Sequence, residues 1–303
     1  TEATLNAIRA ARVFTGRTTM AKVEGGYHGT VDEVMASSHP NVTVLPFNDV
    51  AGARDIIESQ GGQLAAVLVE PVLGSAGMIP AERPYLEMLR ETTRRFGIVL
   101  IFDEVVSVRV AYGGAQEYFD VLPDLTCLGK LIGGGFPLGA FGGRSDIMAL
   151  FDPSGGQPAI SHPGSHNAYP VAMVAGAATL ELLTPVVIDQ LNTRGQAFRH
   201  DLATAFAEAG IPAQITGLGS LFALHLTEQP VRGYPDTLRS LSDLRHEIFL
   251  GLYNEGILID PRGVGNLSTA IGEEEIDRFG SVLRTVLRRV DPSVLFRLQG
   301  WAT

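Results

Sequence analysis

Only two of the 23 basic residues in this 303-residue chain are lysines, Lys22 and Lys130. A guanidinium cannot serve as a nucleophilic amine, so a lysine kept against such a bias toward arginine is a candidate for amine chemistry. Lys130 stands in Leu128-Gly-Lys130-Leu-Ile-Gly-Gly-Gly135, after a short apolar run and ahead of three glycines that permit close backbone approach to a ligand. A lysine that is partly desolvated there loses its charge readily, as a Schiff-base nucleophile requires; a surface lysine at a turn would read the same way. In Ile98-Val-Leu-Ile-Phe-Asp103-Glu104-Val105 a carboxylate closes an apolar run. It suits a buried anion facing a ligand cation such as a protonated ring nitrogen, and equally a strand-end aspartate capping a turn. In Glu24-Gly-Gly-Tyr27-His28-Gly29 an aromatic ring and an imidazole sit among glycines, placed to lie against a flat ring and to hydrogen-bond around it, or simply to pack. In Pro163-Gly-Ser165-His-Asn167, just ahead of a helix, hydroxyl and N–H groups suit a phosphate and would also serve as an ordinary N-cap.

Other chemistries lack their motifs. The glycines at 133 to 135 have neither the Gly-x-Gly-x-x-Gly spacing of a dinucleotide site nor the Gly-Lys-Ser/Thr ending of a phosphate-binding loop, and there is no Gly-x-Ser-x-Gly elbow. The seven histidines form no His-Glu-x-x-His arrangement, so no metal is expected. A net charge of -10 disfavours nucleic acid and anionic membrane as partners and leaves small-molecule chemistry. The single cysteine, Cys127, permits no intrachain disulfide and fits a reducing compartment, so a cytoplasmic location is expected. No apolar run approaches the ~20 residues that cross a bilayer.

The elements that would position these residues alternate in type. A helix over Glu2 to Thr15 opens the chain, which begins without Met, so a preceding segment is expected. Strands follow at Met20 to Val23 and Val42 to Pro46, and Asp49 can cap a helix that ends near Gly61. The continuous apolar runs Leu64 to Val69 and Ile98 to Phe102 suit strands buried on both faces, and the helix Glu82 to Phe96 between them stops at Gly97. Short strands at Leu125 to Leu128 and Leu138 to Phe141 complete a mostly parallel α/β sheet, whose ligands sit beyond the carboxyl ends of its strands. Asp103 and Lys130 both fall at such ends. From about Thr184 the pattern becomes a smaller α+β domain: a helix through Ala209, strands Gln214 to Thr216 and Leu221 to His225, a helix Asp236 to Glu255, strands near Ile257 and Leu267, and a helix Glu273 to Arg289. The expected domains are therefore 1–184 and 185–303.

Taken together, Glu24 to Gly29, Val69-Glu-Pro-Val72, Phe102-Asp-Glu-Val105, Gly113-Gly114, Pro123 to Lys130, Gly133 to Arg144 and the segment from Gly164 resemble the class III aminotransferases. The branch is the one that includes glutamate-1-semialdehyde aminomutase and the β-amino-acid (β-phenylalanine) aminotransferases. The resemblance implies a pyridoxal 5'-phosphate enzyme of fold type I, a homodimer with active sites at the subunit interface. It assigns Lys130 to the Schiff base with the cofactor and to proton transfer, and Asp103 to the pyridine nitrogen. Tyr27 and Val105 look like the residues that sandwich the ring, with His28 beside it. Ser165 stands where the family has a threonine that donates to the phosphate from the neighbouring subunit. The family's phosphate cup would lie at or before Thr1. Asp260-Pro261-Arg262-Gly263 resembles the Pro-Arg-Gly segment of the β-amino-acid branch, where Arg262 would receive a substrate carboxylate, or would be an exposed turn residue. Gly164-Ser-His-Asn-Ala-Tyr-Pro170 departs from the aminomutase pattern at most positions. Transfer of an amino group from an amino acid or amine to an oxo acid is thus the expected activity. An aminomutase and a truncated inactive family member remain as alternatives.

Overall fold

The structure, a computed structural model, describes residues 1–35 and 39–290. Residues 291–303, which the sequence assigns to the second domain, lie outside the described residues. The chain divides into two compact units, Thr1–Gly74 with Ala81–Ile188, and Ser75–Pro80 with Asp189 onward.

The first unit is built on a six-stranded sheet. Its strands in chain order are β1 (Thr19–Val23), β2 (Val42–Leu45), β3 (Leu64–Val69), β4 (Val99–Asp103), β5 (Leu125–Gly129) and β6 (Gly139–Gly143). They lie side by side as β2-β1-β3-β4-β5-β6. Every residue of β3 and β4 is buried, as the unbroken apolar runs require of central strands covered on both faces. Val69 pairs with Phe102 and Asp103 with Cys127, so neighbouring strands leave the sheet close together at one end. The first five strands are parallel, whereas β6 is antiparallel to β5, with Gly129 opposite Gly139. A parallel crossover needs about a dozen residues or more, and the short turn after Gly129 leaves room only for a direct return.

Helix packing follows from residue size. The opening helix Glu2–Thr15 lays Ala3, Ala7, Ala10 and Ala11 on Met20, Ala66, Val99 and Ile101, small side chains that let the helix approach the sheet. It stops at Gly16, whose φ of 67° is left-handed and whose N–H returns to Arg12 O. Asp49 caps Val50–Gln60 by accepting Gly52 N–H at 3.0 Å. Asp124 fixes the register of the chemistry-bearing strands. Its buried carboxylate accepts Leu100 N–H of β4 at 2.8 Å and pairs with Arg90 and Arg144, each at 3.0 Å.

The second unit holds an antiparallel sheet in which β8 (Leu221–His225) lies between β7 (Gln214–Thr216) and β9 (Val264–Asn266). Phe198, Phe206, Leu244, Ile248, Leu283 and Leu287 form its core. The expected helix from Asp236 to Glu255 is two pieces, Tyr234–Thr237 and Ser242–Asn254. The break falls where β8's continuation takes the backbone: Leu241 N–H goes to Leu226 O, and Ser240 Oγ accepts Leu226 N–H. The strand expected near Ile257 is not formed. The partner of β8 is 264–266, reached through a turn at Gly263 whose φ is 77°.

Candidate active site

Four parallel strands of the first unit deliver a chemically active residue at or just past their carboxyl ends: Tyr27 and His28 after β1, Glu70 after β3, Asp103 at the end of β4 and Lys130 after β5. This is the edge at which an open α/β sheet binds ligands. Glu70 carries no role in the sequence reading, although it follows an apolar run as Asp103 does.

Asp103 is buried, and its carboxylate is oriented by two contacts. Oδ1 accepts the Val105 N–H at 3.1 Å, and Oδ2 lies 2.8 Å from His28 Nδ1. His28 therefore reaches from the loop after β1, past the end of β3, to β4. Its Nε2 is buried with no hydrogen-bond partner in the structure and faces Gly26, where a Cβ would come within 2.7 Å of it. A carboxylate offers about four lone-pair sites, so Asp103 retains acceptor capacity for a further donor.

Glu70 follows β3, the strand between β1 and β4. Its Oε1 accepts the Tyr27 N–H at 2.8 Å and its Oε2 accepts the Gly74 N–H at 3.0 Å. Burial pushes the Glu70 carboxyl up to about 7; the negative Asp103 adds to the rise, and His28 with the two backbone N–H groups opposes it. The neighbouring Glu104 is fully buried and pushed up to about 6, again by burial, against the pull of the Ala115 and Gln116 N–H groups. It caps the short helix Gly114–Phe119 and is structural.

Lys130 is exposed and holds a φ of 46°, a left-handed conformation that non-glycine residues seldom take and that costs on the order of 1 kcal/mol or more. The glycines beside it serve packing. A Cβ on Gly134 would lie 2.3 Å from Ala175 O, and one on Gly176 would lie 2.1 Å from Ile132 O. Turn 130–134 and helix Pro170–Leu182 thus meet backbone to backbone, which fixes where Lys130 projects. Val105 is partly buried, and a Cβ on Gly129 would lie 3.3 Å from its Cγ1, so the absent side chain keeps that approach open. The Tyr27 ring is half exposed.

Two predicted residues remain, Ser165 and Arg262. Ser165 is exposed in the loop before Pro170. Arg262 belongs to the second unit, and its guanidinium is engaged by Asp260 through two bonds, Nε to Oδ1 at 3.0 Å and Nη2 to Oδ2 at 2.8 Å. The second unit also has a groove lined by Phe198, Phe222, Ile257, Ile271 and Phe279, together with the charged Asp260, Glu275 and Arg278.

The donor set at the strand ends fits a pyridoxal group: an oriented buried anion for a ring cation, a primary amine on the next strand, and an aromatic face beside them. Comparison with known proteins agrees. The family model described as aminotransferase class-III matches residues 1–279. A glutamate-1-semialdehyde 2,1-aminomutase of Methanothermobacter thermautotrophicus is 41% identical over 279 residues, covering 86% of this chain and 66% of the relative. A beta-phenylalanine transaminase of Variovorax paradoxus is 42% identical over 285 residues, covering 92% of this chain and 65% of the relative. The chain thus spans slightly less than two thirds of the length of either. The crystal structure of an omega-transaminase from Sphaerobacter thermophilus superposes with a TM-score of 0.91 at 42% identity, over 95% of this chain and 72% of that one. The match takes in both the sheet and the motifs at its strand ends, and the chain belongs to the class III aminotransferase family.

Proposed function

We propose that this chain carries the catalytic core of a pyridoxal-phosphate-dependent aminotransferase that moves an amino group from an amino acid, in first place a β-amino acid, or from an amine to an oxo acid. The observation that carries the proposal is the oriented Asp103 carboxylate one strand from Lys130 at a common sheet edge. Pyridoxal phosphate, when bound, supplies an electron sink for the charge left as a proton leaves the substrate carbon. Asp103 keeps the ring nitrogen protonated, and the His28 contact keeps the carboxylate aimed. Lys130 holds the cofactor through its amine and then moves the proton at the substrate carbon. Tyr27 and Val105 would bracket the ring, Ser165 would donate to the phosphate at the neighbouring subunit's site, and Arg262 would receive a carboxylate in exchange for Asp260.

In this reading 1–184 is the cofactor domain and 185–303 the smaller domain of a cytoplasmic homodimer. Support for the dimer comes from helix Pro170–Leu182, which packs on the Lys130 turn yet exposes Val171, Met173, Val174, Leu180 and Leu182. No single helix among the described residues is long and apolar enough to cross a membrane. A second reading, intramolecular amino transfer as in an aminomutase, draws on the 41% identity to a relative of that name. The two differ in whether a free oxo acid is consumed.

The test is the intact mass of the purified holoprotein before and after borohydride reduction. A reduced adduct of cofactor mass that maps to Lys130, and a visible absorbance band lost in Lys130→Ala, are the expected results. An adduct elsewhere, or a Lys130→Ala protein that keeps the band and turns over, refutes the assignment.

A further inference from the structure

The chemistry above leaves Glu70 unused, although it is a buried carboxylate at the same strand edge as Asp103 and Lys130. Burying a carboxylate is costly unless its acceptors are satisfied, and Glu70 meets that cost with two main-chain donors, Tyr27 N–H and Gly74 N–H. Of the residues in the glycine-bounded loop 24–29, Tyr27 is held through its backbone by Glu70, and the next residue, His28, is held through its side chain by Asp103. Two carboxylates from adjacent strands therefore grip consecutive residues of one glycine-bounded loop. The grip has a geometric consequence: the height of the Tyr27 ring is tied to the position of the Asp103 carboxylate, because both are referred to the dipeptide 27–28.

We infer that Glu70 is a positioning residue that clamps the backbone of Tyr27, so that the aromatic face and the Asp103 anion are presented to the cofactor ring as one rigid pair; the cofactor part of this rests on the function proposed above. Glycines at 25, 26 and 29 leave the loop without stiffness of its own, and Gly25 and Gly29 take φ of 74° and 97°. The clamp supplies what the sequence there lacks. A protonated Glu70 accepts one N–H through its carbonyl oxygen and the other only weakly through its hydroxyl oxygen, so the grip is strongest when the group is ionised.

The experiment uses the full-length protein as wild type, Glu70→Ala and Glu70→Gln, with two readouts at pH 8. In cofactor-free protein, hydrogen exchange of the peptide containing Tyr27 should quicken by about tenfold or more in Glu70→Ala and less in Glu70→Gln, whose amide oxygen keeps one acceptor. On addition of pyridoxal phosphate, the circular dichroism induced in the bound cofactor should fall severalfold in Glu70→Ala, recover partly in Glu70→Gln, and track the exchange. A scaffolding role alone would lower the melting temperature and leave the cofactor's dichroism at wild-type strength. That outcome overturns the proposal, as does unchanged exchange around Tyr27. Should Glu70→Ala not fold, Glu70→Gln decides by the same two readouts against wild type. A wild type that binds no pyridoxal phosphate overturns the functional reading, and is told apart because the exchange arm contains no cofactor.

Discussion

Replacing Glu70 by glutamine should change how stability depends on pH, and the structure gives the size of the effect. The Glu70 carboxyl rises from 4.5 in the unfolded chain to about 7 in the folded one, chiefly through burial. Between those values the folded chain holds a proton that the unfolded chain has released. Stability contributed by this group is therefore greatest at low pH and falls as pH rises from about 4.5 through about 7, after which the full cost is present. At about 1.4 kcal/mol per unit, the fall amounts to about 3 kcal/mol. Glutamine is neutral throughout and of similar shape, so Glu70→Gln removes that slope while leaving the smaller, same-signed slope from Glu104, which is pushed up to about 6. Urea unfolding followed by far-ultraviolet circular dichroism at pH 5, 6, 7 and 8 measures it. The variant should gain about 2.5 kcal/mol relative to wild type between pH 5 and pH 8, the part of the fall that lies within the series. Wild-type and variant curves that stay parallel to within about 0.5 kcal/mol would show that Glu70 is not desolvated as its burial requires, and the reasoning would fail.

Four further outcomes are expected. Asp103→Asn should retain the cofactor but slow the proton-transfer half-reaction by about a hundredfold or more in stopped-flow measurements, because a neutral partner cannot hold the ring nitrogen protonated. Arg262→Ala should raise the apparent Michaelis constant for carboxylate substrates by about tenfold to a hundredfold and leave amines without a carboxylate little affected. Since Arg262 is paired with Asp260 in this structure, Asp260→Asn should lower the same constant. Gly134→Ala should cost about 1 to 3 kcal/mol in chemical denaturation, because its φ of 57° and a Cβ contact of 2.3 Å to Ala175 O combine backbone strain with a steric clash.

Strand ends are legible because burial writes them plainly. Leu64 to Val69 and Ile98 to Phe102 are unbroken apolar runs, and the carboxylates that close them, Glu70 and Asp103, are buried at the ends of their strands. The same rule that singles out Asp103 applies to Glu70. What the sequence does not carry is the partner: His28 and Asp103 are separated by 75 residues, and nothing in local composition pairs them. Topology does, by placing β1 two strands from β4. The glycines after Lys130 are a different case. Their presence is obvious, but their use in backbone contact with helix Pro170–Leu182 depends on a residue, Gly176, that lies outside any motif. The direction of β6 depends on loop length more than on the strand's own residues, which is why a repeated strand-helix rhythm suggests a parallel partner where the chain makes a hairpin.

Lysine scarcity alone points to Lys22 and Lys130 with equal force; the glycines after Lys130 single it out in the sequence, and the structure gives the physical difference between the two. Lys22 is buried within β1, and its ammonium donates to the Val34 carbonyl, closing the short helix Asp32–Met35 against the strand. Burial lowers its affinity for a proton, the property sought in a nucleophile, yet the amine is committed to a carbonyl and sits inside the sheet. Lys130 has the opposite profile: an exposed amine, a left-handed backbone and a turn anchored on a helix. Strain of that kind persists only where the surroundings over-determine it, and here they do, through Gly134 and Gly176. A nucleophile for a covalently held ligand needs a fixed origin and a free end more than it needs a dry resting place, since the ligand and whatever covers it can supply the dryness on binding. By that criterion the exposed lysine is the reactive one, and the buried lysine ties the helix Asp32–Met35 to its strand.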